Sequence, residues 1–248
     1  MTEPLAKLSA MAYPGRVIVI GQNPESDQSV IVYIITGRSP SSRARELKLE
    51  GSAVRTRPTD EDVLKKGNVD LLVYTAIAFS RGIAVSNGRQ TDDILKQIQQ
   101  ENDPEEILIR GLKDWTYEPD PPHYTPRISG CLLPSGKACL SLIKRKKDGA
   151  PQKSFFAWRL EPGKGKLIST YSGAEKNPLP SFTGNPLDIG IKEKTAGDMA
   201  EAVYAALKPQ NPEKDYRVAV ACVYAEKSNL QNYEVHIINK KERQDEHE

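Results

Sequence analysis

Histidine and cysteine are both scarce in this chain of 248 residues, with three of each. His123, His236 and His247 lie far apart, and none has a cysteine or second histidine at ligand spacing, so no metal centre is expected. A histidine-based nucleophile triad is disfavoured for the same reason. His123 is left as a lone acid–base candidate, in a loop where such a residue is ordinarily inert. Cys131, Cys139 and Cys222 are odd in number and sit in or near apolar runs. They read as buried thiols of a reducing compartment, which predicts a cytoplasmic protein without a disulfide framework.

Other absences narrow the function further. There is no P-loop, no Gly-x-Gly-x-x-Gly and no Gly-x-Ser-x-Gly, so the glycine signatures of phosphate-cradling and serine-hydrolase turns are missing. No apolar run approaches the roughly 20 residues that cross a bilayer. Residues 1–12 lack the basic start and long apolar middle of a secretory signal. A net charge of +2 gives no broad field for nucleic acid or a membrane surface, and no aromatic stacking strand for RNA is visible.

What is present centres on Tyr33-Ile34-Ile35-Thr36-Gly37-Arg38-Ser39-Pro40-Ser41-Ser42-Arg43-Ala44-Arg45. An apolar strand here runs into a turn with three arginines and three serines. Such a strand needs burial on both faces, and the donors beyond its end suit phosphate or carboxylate. The alternative is a solvated turn. Over 43–49 the chain alternates, so Arg43 and Arg45 share a parity with Leu47 and Leu49 and point inward if the leucines do. Arg55 and Arg57 share one face of the next run.

Elsewhere the pattern predicts strands over 16–21 and 30–36 as a hairpin, then 70–80 and 82–85. Helices are expected from about 91 and over 104–113, where a proline followed by two glutamates marks a helix start. Residues 115–126 are irregular and proline-rich. Strands follow in pairs, 128–133 with 137–144 and 154–160 with 166–171. A helix over 196–207 precedes strands 216–224 and 233–239. The total is about ten strands and three helices with no βαβ alternation, which disfavours parallel folds. Several strands are apolar on both faces, so two packed sheets need helices outside them. The expected fold is α+β, a four-layer αββα sandwich of mostly antiparallel sheets. It forms a single domain over 1–248, with 1–12 and 240–248 peripheral.

Three clusters could carry chemistry. The first is the arginine–serine turn. The second is Ser86-Asn87-Gly88 at a helix entrance, where free backbone N–H groups favour an anion or carbonyl oxygen; a plain turn is the alternative. The third spans 118–127, where Glu118, Asp120, Tyr124, Thr125 and Arg127 crowd among four prolines. Such a stiffened loop suits acid–base groups that must be held in place.

In this order the clusters resemble the archaeal-type IMP cyclohydrolase family. The residues that carry the likeness are Tyr13-Pro14-Gly15-Arg16, Tyr33 to Arg38 with Ser39 and Arg43, Ser86-Asn87-Gly88 with Thr91-Asp92, Tyr117-Glu118, and Tyr124-Thr125-Pro126-Arg127-Ile128. The likeness covers the first half of the chain well and the second mainly by pattern. It implies a fold similar to the N-terminal-nucleophile hydrolases. It also implies closure of 5-formamidoimidazole-4-carboxamide ribotide to inosine monophosphate with loss of water, without cofactor or metal.

The resemblance further implies that Arg38 and Arg43 bind charge, one of them on the phosphate or near the formyl oxygen, with Arg38 counted among the catalytic residues and Arg16, Ser39, Arg45 and Thr125 beside the substrate. Asn87 would hydrogen-bond the base or formyl group. Glu118 would act as general acid–base, with Tyr33 or Tyr124 relaying the proton and Arg127 orienting the carboxylate. Asp120 is an equally placed carboxylate, so the sequence leaves open which of the two acts. A homo-oligomer is compatible with the apolar β-rich core. Two other readings are a non-catalytic purine-nucleotide-binding relative and an amidohydrolase of the N-terminal-nucleophile type using Thr2. The longer N-terminal lead and the charged tail depart from the family pattern.

Overall fold

The computed structural model describes residues 5–245. Thr2, the candidate nucleophile of the amidohydrolase reading, and His247 lie outside them. The chain opens with α1 (Ala6–Ser9), β1 (Arg16–Gln22) and β2 (Gln28–Thr36), then α2 (Pro40–Arg43), β3 (Arg45–Glu50), β4 (Ala53–Pro58), α3 (Glu61–Leu64) and α4 (Val69–Leu72). Next come β5 (Thr75–Phe79), β6 (Ile83–Ser86), α5 (Gln90–Ile98), α6 (Pro104–Gly111), β7 (Arg127–Leu132), β8 (Lys137–Arg145) and β9 (Pro151–Arg159). The remainder is β10 (Lys164–Ser169), β11 (Leu187–Gly190), α7 (Ala196–Ala206), a 3-10 turn (Pro212–Lys214), β12 (Arg217–Glu226), β13 (Asn229–Asn239) and α8 (Lys240–Asp245).

The fold is α+β. One sheet has six strands in the order β11-β10-β1-β2-β12-β13, the other seven in the order β3-β4-β5-β6-β7-β8-β9. Every registered strand pair is antiparallel. Strand periodicity explains the layering. In β1, Ile18 and Ile20 face the core between the sheets, while Val17 and Val19 face the outer core under α7. In β2, Ile31, Tyr33 and Ile35 face in and Val30, Val32 and Ile34 face out. The seven-stranded sheet does the same: Leu132 and Leu140 enter the shared core, and Cys131 and Cys139 lie under α5 and α6. Each double-faced apolar run therefore sits between a sheet and a helix layer. Leu5 and Leu8 also pack into the outer core with α7.

Three local expectations are corrected. Residues 70–80 do not form one strand: Asn68 accepts from the Asp70 N–H and starts α4, and β5 begins only at Thr75. A side-chain cap here outweighs the apolar run. The alternation over 43–49 holds for Arg45 and Leu47, which are buried, but Arg43 belongs to α2 and Leu49 is exposed. Ser39 caps α2 by accepting from the Ser42 N–H, so part of the arginine turn is a helix start. Finally, the strands at 154–160 and 166–171 are no hairpin. β9 pairs with β8, whereas β10 crosses to pair with β1. Pro162 and Gly163 turn the chain between layers.

Gly130 in β7 marks how closely the sheets pack. A Cβ there would lie 2.7 Å from Ile20 Cδ1 and 2.9 Å from Val85 Cγ1. Gly130→Ala should therefore destabilise by roughly 1–3 kcal/mol through overpacking. Adding Ile20→Val, which removes the clashing methyl, should recover part of that loss in a denaturant double-mutant cycle. Strict additivity of the two changes would count against this packing.

Candidate active site

β1, β3 and β7 each begin with an arginine: Arg16, Arg45 and Arg127. All three side chains are buried, and each has a buried nitrogen without a partner: Arg16 Nε, Arg45 Nη2 and Arg127 Nε. Buried donors are nearly always satisfied, so three orphans at one end of a sandwich mark a place for an acceptor. Gly15 helps aim Arg16. Its φ of +77° is open to glycine, and a side chain there would run into Thr170 and Tyr171.

Among these guanidiniums lies Glu118, 2 % exposed. Asn87 Nδ2 donates to its Oε1 at 3.1 Å, and Arg127 Nη1 stands 3.9 Å from the same oxygen. Burial pushes the Glu118 carboxyl up from 4.5 to about 7; Arg16, Arg127 and Arg45 oppose the shift, and Asp120 adds to it. Burial alone would weaken the Arg16 charge, but the oxygens of Tyr74, Glu118 and Tyr33 more than offset this and its pKa is raised. Arg45 and Arg127 go the other way, lowered chiefly by burial.

Asn87 is fully used. Its Oδ1 accepts from the Ile128 N–H at 2.9 Å and from Gln90 Nε2 at 3.1 Å, and its Nδ2 also reaches the Pro126 carbonyl. That fixes both its amide orientation and its aim at Glu118. The Glu118 N–H donates to the Thr125 carbonyl at 2.9 Å, closing the loop. Asp120 serves instead as an anchor, accepting from the Thr125 N–H at 2.7 Å and from the Thr125 hydroxyl. Tyr171 in turn donates to Thr125 Oγ1 at 2.6 Å. Across the cluster, the Tyr33 and Tyr74 hydroxyls meet at 2.8 Å, and burial holds the Tyr33 phenol well above its usual range.

Of the residues singled out by sequence, the structure brings Arg16, Tyr33, Arg45, Asn87, Glu118, Thr125 and Arg127 together. It keeps four apart from the buried cluster. Arg38 is half-buried and lies 4.9 Å over the Tyr13 ring, and Arg43 is exposed, 5.6 Å over Tyr216. Tyr13 and Tyr216 meet edge to face, and Tyr13 stacks on Tyr171, so these arginines form a rim connected to the interior by aromatic rings. Ser39 is the α2 cap, and Tyr124 lies beneath Arg145. Arg55 and Arg57 both pair with Glu50. Sequence reasoning missed Tyr74, Gln90 and Tyr171. Tyr74 is concealed within an apolar run that reads as one strand, and Gln90 within a helix start whose acidic residues are the visible signal. Among the described residues, no three metal-ligating side chains group together and no helix is long and apolar enough to cross a membrane.

A family model described as IMP cyclohydrolase-like protein matches residues 13–229, a span that contains every residue of this cluster. A curated relative from Halobacterium salinarum named IMP cyclohydrolase is 28% identical over 196 residues, covering 78% of this chain and 85% of its own. Relatives of the same name come from Methanothrix thermoacetophila and Methanopyrus kandleri. The first is 30% identical over 170 residues (67% of this chain, 78% of the relative) and the second 30% over 179 residues (71% and 82%).

The raised pKa of Glu118 has a stability consequence. The folded protein holds this proton more tightly than the unfolded chain, so stability declines as pH rises from about 4.5 to 7, and the full cost is present above that. Glu118→Gln removes the titration. Relative to wild type, the variant should gain up to about 3 kcal/mol between pH 4 and pH 8 in denaturant melts. Parallel pH dependence of the two proteins would show that Glu118 is not desolvated.

Proposed function

We propose a mechanism from one premise: the chain belongs to the IMP cyclohydrolase-like family. It is a cyclohydrolase that closes 5-formamidoimidazole-4-carboxamide ribotide to inosine monophosphate, a step of purine biosynthesis. The carboxamide nitrogen forms a bond to the formyl carbon. One hydrogen of that nitrogen and the hydrogen of the formamido nitrogen then leave with the formyl oxygen as water. Both reacting groups belong to one molecule, so holding them in contact removes much of the barrier.

In our reading Glu118 takes the carboxamide proton and returns it to the departing oxygen. The observation that carries this is a buried carboxyl with its pKa near 7, held by Asn87 beside orphaned guanidinium donors. A group poised near neutrality can accept and give a proton in one turnover. Asp120 is occupied in anchoring Thr125, which favours Glu118 of the two. The free N–H groups of Arg16, Arg45 and Arg127 meet the oxygen that gains charge, as preorganised donors do. Tyr33, hydrogen-bonded to Tyr74, shares in the proton relay; Tyr124, outside the cluster, does not. Arg38 and Arg43 at the rim, with Ser39 nearby, receive the phosphate. The purine nucleotide is thus enclosed with its anionic end outward.

The helix–sheet–sheet–helix order supports an N-terminal-nucleophile-hydrolase-like fold. The buried free thiols Cys131, Cys139 and Cys222 support a cytoplasmic site of action, and the long open edge strands β9 and β13 support a homo-oligomer.

The purified protein mixed with the formamidoimidazole ribotide, without added metal, should give steady formation of inosine monophosphate by absorbance. Glu118→Gln should lower kcat by about 100-fold or more with KM little changed. Asp120→Asn should act mainly on stability and leave kcat within about tenfold of wild type. A reversed order of the two variants would transfer the acid–base role to Asp120.

A further inference from the structure

Gln90, the first residue of α5, is fully buried and touches both partners of Glu118. Its Oε1 accepts from Arg127 Nη1 at 3.2 Å, and its Nε2 donates to Asn87 Oδ1 at 3.1 Å. The same Arg127 Nη1 lies 3.9 Å from Glu118 Oε1, beyond a direct hydrogen bond. Gln90 takes one of the two N–H groups on Nη1, and in that position the nitrogen stays out of hydrogen-bond reach of the carboxyl. Gly88 leaves room for this arrangement, since a Cβ there would lie 2.6 Å from both Arg127 Nη1 and Gln90 Oε1. Trp115 closes the other side, with Arg127 4.8 Å over its ring.

We infer that Gln90 is a positioning residue for the reaction: it holds Arg127 off Glu118 while fixing Asn87 on it. Glu118 therefore has Asn87 as its close side-chain donor and the arginines as a surrounding field. If Arg127 closed by about 1 Å it would form a charge-assisted hydrogen bond, the contact that most favours a carboxylate. A carboxylate tied in this way would be a poor proton donor to the departing oxygen. The other charges facing Glu118 are Arg16 on β1, Arg45 on β3 and Asp120 on its own loop. None of them hydrogen-bonds to Gln90, so a change at Gln90 acts through Arg127 and Asn87. The inference rests on Glu118 being the acid–base group for its catalytic meaning, but not for its geometry.

The test titrates Glu118 in the free protein by carbon-13 NMR of its side-chain carboxyl, assigned by its loss in Glu118→Gln. Gln90→Met removes the acceptor that anchors Arg127, and the Glu118 midpoint should fall by about one pH unit. The acidic limb of kcat/KM should fall with it, and kcat should drop while KM stays within about threefold. Gln90→Glu keeps an acceptor for Arg127 and adds a negative charge beside Glu118, so the midpoint should rise. Should the methionine variant fail to fold, the glutamate variant tests the same contact with the opposite sign. Midpoints that stay put, or move in one direction in both variants, overturn the proposal even if Glu118→Gln is inactive. Opposite shifts alongside a fully active Glu118→Gln would uphold Gln90 as the residue that positions Arg127 and remove Glu118 from the reaction.

Discussion

A carboxyl group shut away from water must keep its proton or be surrounded by positive charge. Glu118 is held between these outcomes, with burial raising its pKa and three guanidiniums lowering it. Charges removed from water cost several kcal/mol each unless paired, so this balance is expensive to maintain. It explains why the surroundings are so rigid. The arginines are the first residues of strands, the asparagine amide makes four contacts, and the carrying loop is pinned by Thr125 and Asp120. Loosening any of these would let Arg127 or solvent settle the balance one way.

The sandwich supplies that rigidity because its central strands are buried on both faces. β2 cannot slip in register, since a one-residue shift would exchange Ile31, Tyr33 and Ile35 for Val30, Val32 and Ile34 and displace Tyr33 from the cluster. Of the helices that cover the sheets, α5 also reaches the cluster. There the first residue, Gln90, is part of the hydrogen-bond network, so the outer layer bears directly on the surroundings of Glu118.

Much of this is legible in the sequence because it follows from strand periodicity. The doubly apolar runs require two sheets with covers, and the parity of Arg45 with Leu47 turns that arginine inward. Glu118 stands out because prolines stiffen its neighbourhood. The remainder depends on interactions that periodicity cannot see. The cap at Asn68 breaks an apolar run and releases Tyr74 to meet Tyr33. The Ser39 cap lifts Arg43 out of the alternation and onto the rim. A Pro-Gly turn looks the same whether its strands pair or part, so the crossing from β9 to β10 leaves no local mark. Gln90 carries no charge, and its importance comes only from two neighbours, one of them distant in sequence.

The strand order also bears on how the protein comes into being. β2, which carries Tyr33, is paired on one side with β1 and on the other with β12, where Tyr33 faces Ala221. β1 in turn needs β10. A chain emerging from the ribosome will therefore have exposed every arginine and carboxylate of the cluster long before the six-stranded sheet can assemble around them. Until β12 arrives, three like charges have no buried enclosure to hold them together. Closure of the cluster thus depends on a strand made late, and a chain ending before β12 would leave it open to water.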